Sequence, residues 1–208
     1  MYFLVILAGV ANEILVRSPL IVPGDQATTV NNILAHGFIF RLGFVISLVR
    51  FAVFIAMVLA LYRLLRPVDK DWSMVMAAFA LVSIAVGMAS LLFEFGAPLL
   101  LTGSGYSSFF PVDQWHAQVQ FFLDMQIMGD KASQILAVWL LPLAYLIYKS
   151  GYFPKILAIF MAIAGIGYVL DGLVYILLPG LNWQVAGLAF LGELPFPLWL
   201  LIRGVKSK

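Results

Sequence analysis

Two segments of this chain place a glutamate four residues before a proline: Glu94-Phe-Gly-Ala-Pro98 and Glu193-Leu-Pro-Phe-Pro197. Proline has no N–H, so within a helix the carbonyl of each glutamate loses its main-chain donor. A carboxylate and a freed carbonyl then stand together, and Pro195 frees the carbonyl of Leu191 in the same way. Grouped oxygen acceptors suit a cation, a proton or a water chain. A plain proline kink, its carbonyl satisfied by water or a hydroxyl, is the structural alternative. The counter-charge is Arg50, alone among the apolar residues of the run Gly43–Tyr62. A guanidinium at that depth needs a carboxylate, water or an anionic ligand group to meet it. Two accounts stay open: an ion pair with Glu94 or Glu193 that locks helix packing, and a site where Arg50 holds an anionic group or governs the surplus acids.

Helical spacing sharpens the set. Ser83, Gly87, Ser90 and Glu94 are spaced by four, three and four, with Ala80 and Ala97 continuing the stripe. Small residues there allow close helix approach, and the polar members are expected to face the bundle interior. Tyr168, Asp171 and Tyr175 form a similar face, and Glu13 is a further acid within an apolar run. The expected ligand- or ion-binding residues are therefore Arg50, Glu94, Asp171, Glu193, Glu13 and Ser90. One guanidinium pairs two carboxylates at most, and unpaired buried acids take up protons, which makes them proton-relay candidates. Arg41, His116, Asp124 and Lys131 are expected at the pocket rim, with His116, Gln120, Asp124 and Lys131 sharing one helix face that is otherwise plain solvated surface.

Other chemistry is thin. His36 and His116 have no second histidine at helical spacing, so zinc would need Asp113, Asp124 or Glu94 brought in by the fold; no metal and no cofactor are expected. The absence of cysteine removes thiol catalysis, iron–sulfur ligation and disulfides together. "TGSGYSS" lacks the strand-turn-helix setting of a nucleophile elbow. Trp72, Trp115, Trp183 and Trp199 read as interfacial belt residues.

The elements that must position these residues are membrane spans. The 208 residues are 63% hydrophobic and 11% charged, where a soluble domain carries about 25% charge. The expected fold is all-α: a single integral membrane domain, residues 1–208, built as a bundle of six transmembrane helices. The spans fall near Tyr2–Val16, Phe38–Leu65, Trp72–Leu101, Met128–Tyr148, Ile156–Leu178 and Val185–Ile202. Two longer connections carry short interfacial helices, one opening at the N-cap Asp25 and one at Asp113. Arg63, Arg66, Lys70, Lys149, Lys155, Arg203, Lys206 and Lys208 fall on one side, with Arg17, Arg41 and Lys131 near the other. The positive-inside rule then puts both termini in the cytoplasm, with the two longer connections outside. The first span is short and has no basic residue before it, so the native chain is expected to begin upstream; a cleaved signal ending near "LAGVA" is the rival reading. A net charge of +2 in juxtamembrane clusters gives no nucleic-acid signal.

The segments "VRSPLIVPGDQATTVNNILAH", "FRLG", "LYRLLRPV", "YLIYKSGYFPKILAI", "AGIGYVLD" and "GEL…PLWLLIRGV" resemble the bacterial multi-pass family catalogued as domain of unknown function 4386. The resemblance runs from Val16 to the C-terminus. It implies six spans in a bacterial cytoplasmic (inner) membrane and assigns no activity. The resemblance implies that family members often carry a histidine shortly before the fourth span, where "DMQIMGD" here has Gln126, which puts a histidine-dependent chemistry in doubt for this chain. Three functional classes remain: a small transporter or ligand-binding protein with a charged pocket open to the outer side, taking a cation, a proton or a small anionic ligand; an intramembrane enzyme acting on a lipid or other amphiphile, with an acid as general base and Arg50 on a headgroup; and a structural or partner-binding subunit. Membrane lipid is the expected surroundings, and nucleic acid is not an expected partner.

Overall fold

A chain this apolar, placed in lipid, must satisfy its backbone polar groups internally, and helices do so within one segment. The computed structural model describes residues 1–102, 105, 111–178, 180, 181 and 185–205, apart from the side chains of 102, 112 and 113. Most of the "TGSGYSS" segment, the Asp113 cap, Trp183, Lys206 and Lys208 thus lie outside the described residues or side chains. The protein is an all-α polytopic membrane protein, with no strand among the described residues. Helix α1 (Tyr2–Asn12) passes through a π-helical turn (Glu13–Arg17) into α2 (Ser18–Leu20); α3 is Gln26–Ala35, α4 Gly37–Leu65 and α5 Lys70–Thr102. Then α6 (Val112–Ile135), a 3-10 turn (Leu136–Trp139) and α7 (Leu140–Ser150) follow one another without a break. Helix α8 is Lys155–Leu177, α9 Ala186–Glu193 and α10 Pro195–Ile202.

Among the described residues, five helical stretches are long and apolar enough to cross a membrane: Tyr2–Leu20, Gly37–Leu65, Lys70–Leu101, Gln114–Ser150 and Lys155–Leu177. At the sixth expected position stands the shorter apolar stretch Ala186–Ile202, interrupted at Leu194. The fourth stretch is much longer than expected, because the helix foreseen near Gln114 runs on into the span. Breaks have local causes. Pro19 has no N–H to continue the α register toward Leu15, and the preceding turn is widened so that the Ser18 N–H reaches the Glu13 carbonyl. Asp25 caps α3, as expected, by accepting from the Thr28 N–H at 2.9 Å. Gly151 ends α7 at φ +68°, a left-handed conformation that glycine adopts without steric cost.

The chain forms two compact units. Unit 1 comprises Met1–Phe3, Phe54–Val86 and Lys131–Lys208; unit 2 comprises Leu4–Val53 and Gly87–Asp130. Unit 2 has an apolar core of Val16, Leu20, Val30, Ile33, Phe40, Ala97, Val119 and Leu123. In unit 1 the aromatic rings of Tyr2, Trp139, Phe153 and Phe196 interlock, Tyr2 and Phe196 edge to face at 5.9 Å. Ser83 and Ser133, also in unit 1, exchange hydroxyl-to-carbonyl hydrogen bonds at 3.0 and 2.9 Å, a reciprocal tie between α5 and α6. As the spacing predicts, Ala80, Ser83, Gly87, Ser90, Glu94 and Ala97 are all buried.

Candidate functional site

Unit 2 contains a polar cluster inside an apolar shell. The π-helical turn presents Arg17, whose Nη1 lies 3.1 Å from Glu94 Oε1 while Nε lies 3.4 Å from Glu13 Oε2. Glu94 is buried and Glu13 is largely exposed, so the Arg17–Glu94 contact is the inner ion pair. One turn before Glu94, the Ser90 hydroxyl has two acceptors at 2.7 Å, the Gly87 carbonyl and Asp130 Oδ1. A hydroxyl has one proton to give. Both contacts are fully satisfied when Asp130 itself carries a proton toward Ser90. The amide of Gln126 donates to the other oxygen of Asp130. This closeness depends on Gly129: a Cβ there would sit 2.5 Å from the Cβ of Ser90. Nearby in chain and unit, Asn12 Nδ2 donates to Ser47 Oγ at 3.0 Å, while Asn12 Oδ1 and Gln126 Oε1 are buried with no hydrogen-bond partner among the described residues.

Arg50 belongs to the same unit and differs from Arg17. It is half-buried, and its guanidinium lies along Gly9, where a Cβ would stand 3.4 Å from Nη1, and over the Phe51 ring at 4.6 Å. Its electrostatic neighbours are Asp130, Glu94 and Arg17. Among the described residues no carboxylate lies within ion-pair distance of it. The cluster therefore contains two guanidinium groups, of which one is paired and the other has no ion-pair partner among the described residues. Such a group can bind an anionic oxygen bidentately.

Unit 1 holds two further sets. Asp171 on α8 is buried; its Oδ2 lies 2.5 Å from Lys131 Nζ, and its Oδ1 accepts from the Val185 and Ala186 N–H groups at 2.7 and 3.0 Å. It thus caps α9 from another helix, satisfying donors that a helix N-terminus leaves free. Gly172 permits this, since a Cβ there would come within 2.8 Å of the Lys131 carbonyl. Separately, Glu193 Oε1 accepts from the Tyr2 hydroxyl at 2.5 Å and Oε2 from Tyr168 at 2.9 Å. Among the described residues no cluster of three or more His, Cys, Asp and Glu could hold a metal ion.

With this geometry in place, comparison with known proteins is informative about lineage. The family described as domain of unknown function (DUF4386) matches residues 1–204. The chain belongs to that family. A relative of this DUF4386 protein in Archaeoglobus fulgidus, described as an uncharacterized protein, is 31% identical over 154 residues, covering 73% of this chain and 77% of its own. No solved structure matches.

The structure sorts the expected residues of the DUF4386 chain as follows. Arg50, Glu94, Ser90 and Glu13 share unit 2, whereas Asp171 and Glu193 have their hydrogen-bond partners within unit 1. The expected ion pair of Arg50 with one of these acids is corrected: Glu94 pairs with Arg17, Asp171 with Lys131, and Glu193 with two phenols. The cause is the register of α1, whose widened turn brings Arg17 to Glu94. Lys131, expected at the rim, is instead the partner of Asp171. Of the other rim residues, Arg41 is exposed, His116 is half-buried against Trp115 at 4.6 Å, and Asp124 accepts from Gln120 at 2.8 Å. Sequence reasoning missed Arg17, Asp130, Gln126, Asn12 and Tyr2. A fourth span beginning at Met128 places Asp130 at a helix end, whereas α6 starts at Val112 and makes it interior.

Proposed function

We propose that this chain is a small transporter or ligand-binding protein of the cytoplasmic membrane, whose unit 2 cluster receives the anionic group of a small ligand at Arg50. The observation that carries this reading is the half-buried guanidinium without an ion pair among the described residues, beside acids whose hydrogen bonds are already taken by Arg17, Ser90 and Gln126. A purely structural arginine would be paired, as Arg17 is. The unpartnered oxygens of Gln126 and Asn12 suit a ligand that carries a hydrogen-bond donor besides its anionic group. A proton can accompany the anion, since Asp130 is placed to hold one against Ser90.

The chain is a single integral membrane domain surrounded by lipid. Arg63, Arg66, Lys70, Lys149, Lys155 and Arg203 support cytoplasmic termini, with the cluster reached from the outer side. Reporter fusions at residue 68 and after residue 205 check this: strong extracytoplasmic signals at both positions would overturn it. One contact favours an enzyme acting on a lipid or other amphiphile, namely the Ser90 hydroxyl 2.7 Å from Asp130. That hydroxyl is also bonded back to its own helix at Gly87, which draws its oxygen toward the backbone.

The test is thermal melting in detergent with a series of monocarboxylates, dicarboxylates and inorganic phosphate, in wild type and Arg50→Gln. A ligand at a hundred times its Kd stabilises by about 2.7 kcal/mol, or about 5–11 °C for a chain of this size. Stabilisation by at least one anion in wild type, absent in Arg50→Gln, is the expected result, followed by uptake of that anion into proteoliposomes. If no anion in the series acts through Arg50, the reading fails.

A further inference from the structure

The C-terminal segment holds a carboxylate that the unit 2 cluster does not use. Helix α9 ends at Glu193 and α10 begins at Pro195, with Leu194 between them. Pro195 and Pro197 supply no N–H, so the carbonyls of Leu191 and Glu193 lack their usual main-chain donors at this break. Three elements meet at the Glu193 carboxylate. Tyr2 from α1 donates at 2.5 Å, Tyr168 from α8 donates at 2.9 Å, and Glu193 closes α9. The titratable groups that face it are those two phenols, and among the described residues no cation contacts it. In this it differs from Glu94, which has Arg17, and from Asp171, which has Lys131.

An ionised carboxylate among apolar side chains without a counter-charge is strongly disfavoured, and such a group neutralises instead. A proton does this without any coordination shell. Access is provided by a groove of about 250 Å³ in unit 1, lined by Met1, Tyr2, Met57, Leu61, Pro197 and Leu201. Tyr2, one of the two residues whose hydroxyls touch Glu193, is thus also among the residues that line the groove.

We propose that Glu193, held between Tyr2 and Tyr168 at the break in the C-terminal helix, is a proton-binding site that loads and unloads through the Tyr2 hydroxyl and the groove. In the loaded state the carboxyl is neutral and donates to a phenol oxygen. On unloading, the proton passes from the Glu193 carboxyl to Tyr2 Oη as Tyr2 releases its own proton to water in the groove. The products are a carboxylate, an intact phenol and a hydronium ion, so no phenolate forms. The unloaded carboxylate is then held by two phenol O–H donors, an arrangement that stabilises the charge without a cation.

Infrared difference spectroscopy on the full chain in lipid, stepped through pH in light and heavy water, reads protonated carboxyl groups directly. The expected result is a deuterium-sensitive carboxyl band that titrates while the protein stays folded, moves on isotope labelling of glutamate, and is missing in Glu193→Gln. Labelled wild type keeps the test alive if that variant does not fold. Tyr168→Phe removes one donor to the charged form and is expected to move the titration midpoint up by about one to two pH units. A merely structural glutamate would show no such movement. Absence of a titrating glutamate band, or a midpoint indifferent to Tyr168→Phe, would overturn the proposal. A Glu193-dependent spectral change on adding sodium or potassium at fixed pH would also overturn it, by making a metal cation the occupant.

Discussion

Replacing Asp171 separates its two jobs. Its Oδ2 faces Lys131 Nζ at 2.5 Å and its Oδ1 takes the Val185 and Ala186 N–H groups at 2.7 and 3.0 Å, with the residue 1% exposed. Asp171→Asn keeps an oxygen for the two amides and leaves Lys131 without a counter-charge. Removing one partner of a buried pair costs about 3–5 kcal/mol, and the lower end applies because the Lys131 side chain is 18% exposed. Asp171→Ala also loses the cap, for a further ~1 kcal/mol. The expected losses are roughly 3 kcal/mol for Asn and roughly 4 kcal/mol for Ala. At ~2–4 °C per kcal/mol for a chain of this size, Ala lowers the melting temperature by about 8–16 °C. The double variant Lys131→Met with Asp171→Asn removes the stranded ammonium and keeps the cap, so it should recover most of what Asp171→Asn lost. Thermal melts of the four proteins in one detergent decide the matter. Equal melting of the Ala and Asn variants would refute the cap from α8 to α9. A double variant no better than Asp171→Asn would refute the ion pair as the source of the loss.

Glu94→Leu strands Arg17 and is expected to cost about 3 kcal/mol, most of it recovered by adding Arg17→Met; Arg50→Leu breaks no ion pair among the described residues and should melt closer to wild type than Glu94→Leu does. Hydrogen bonds from Lys149 and from the Trp72 N–H hold the Asp69 carboxyl below the usual carboxylate range. A depressed folded-state value stabilises the fold above the unfolded value of about 4 and is lost as pH falls through the folded value. The melting difference between wild type and Asp69→Asn should therefore shrink as pH drops below about 4, and a difference constant across that range would contradict the contact. Gly172→Ala drives a methyl to 2.8 Å from the Lys131 carbonyl and should destabilise, by about 1–3 kcal/mol for overpacking. Gly187→Ala, with nothing within 4 Å, should be neutral or mildly stabilising in its helix; similar melting of the two would show that α8 and α6 are less closely packed at Gly172 than the structure places them.

Fold class was legible from the sequence because the membrane leaves the backbone few choices. Long apolar runs become helices, and the four-and-three spacing of Ser83, Gly87, Ser90 and Glu94 predicts a buried face without reference to any other helix. The Asp25 cap was equally readable, since it satisfies donors within its own next turn. Partner choice was not readable, because it depends on the register and rotation of one helix against another. A single widened turn before Pro19 decides that Arg17, and not Arg50, pairs with Glu94. Close approach at Gly172 and Gly129 decides that Lys131 serves Asp171 and that Ser90 meets Asp130. Tyr2 and Glu193 are separated by nearly the whole chain, and no local pattern in either marks the other as its partner. Sequence determined which residues lie inside the helices; tertiary packing decided which charges are neutralised, and that Arg17 and not Arg50 has the ion pair with Glu94.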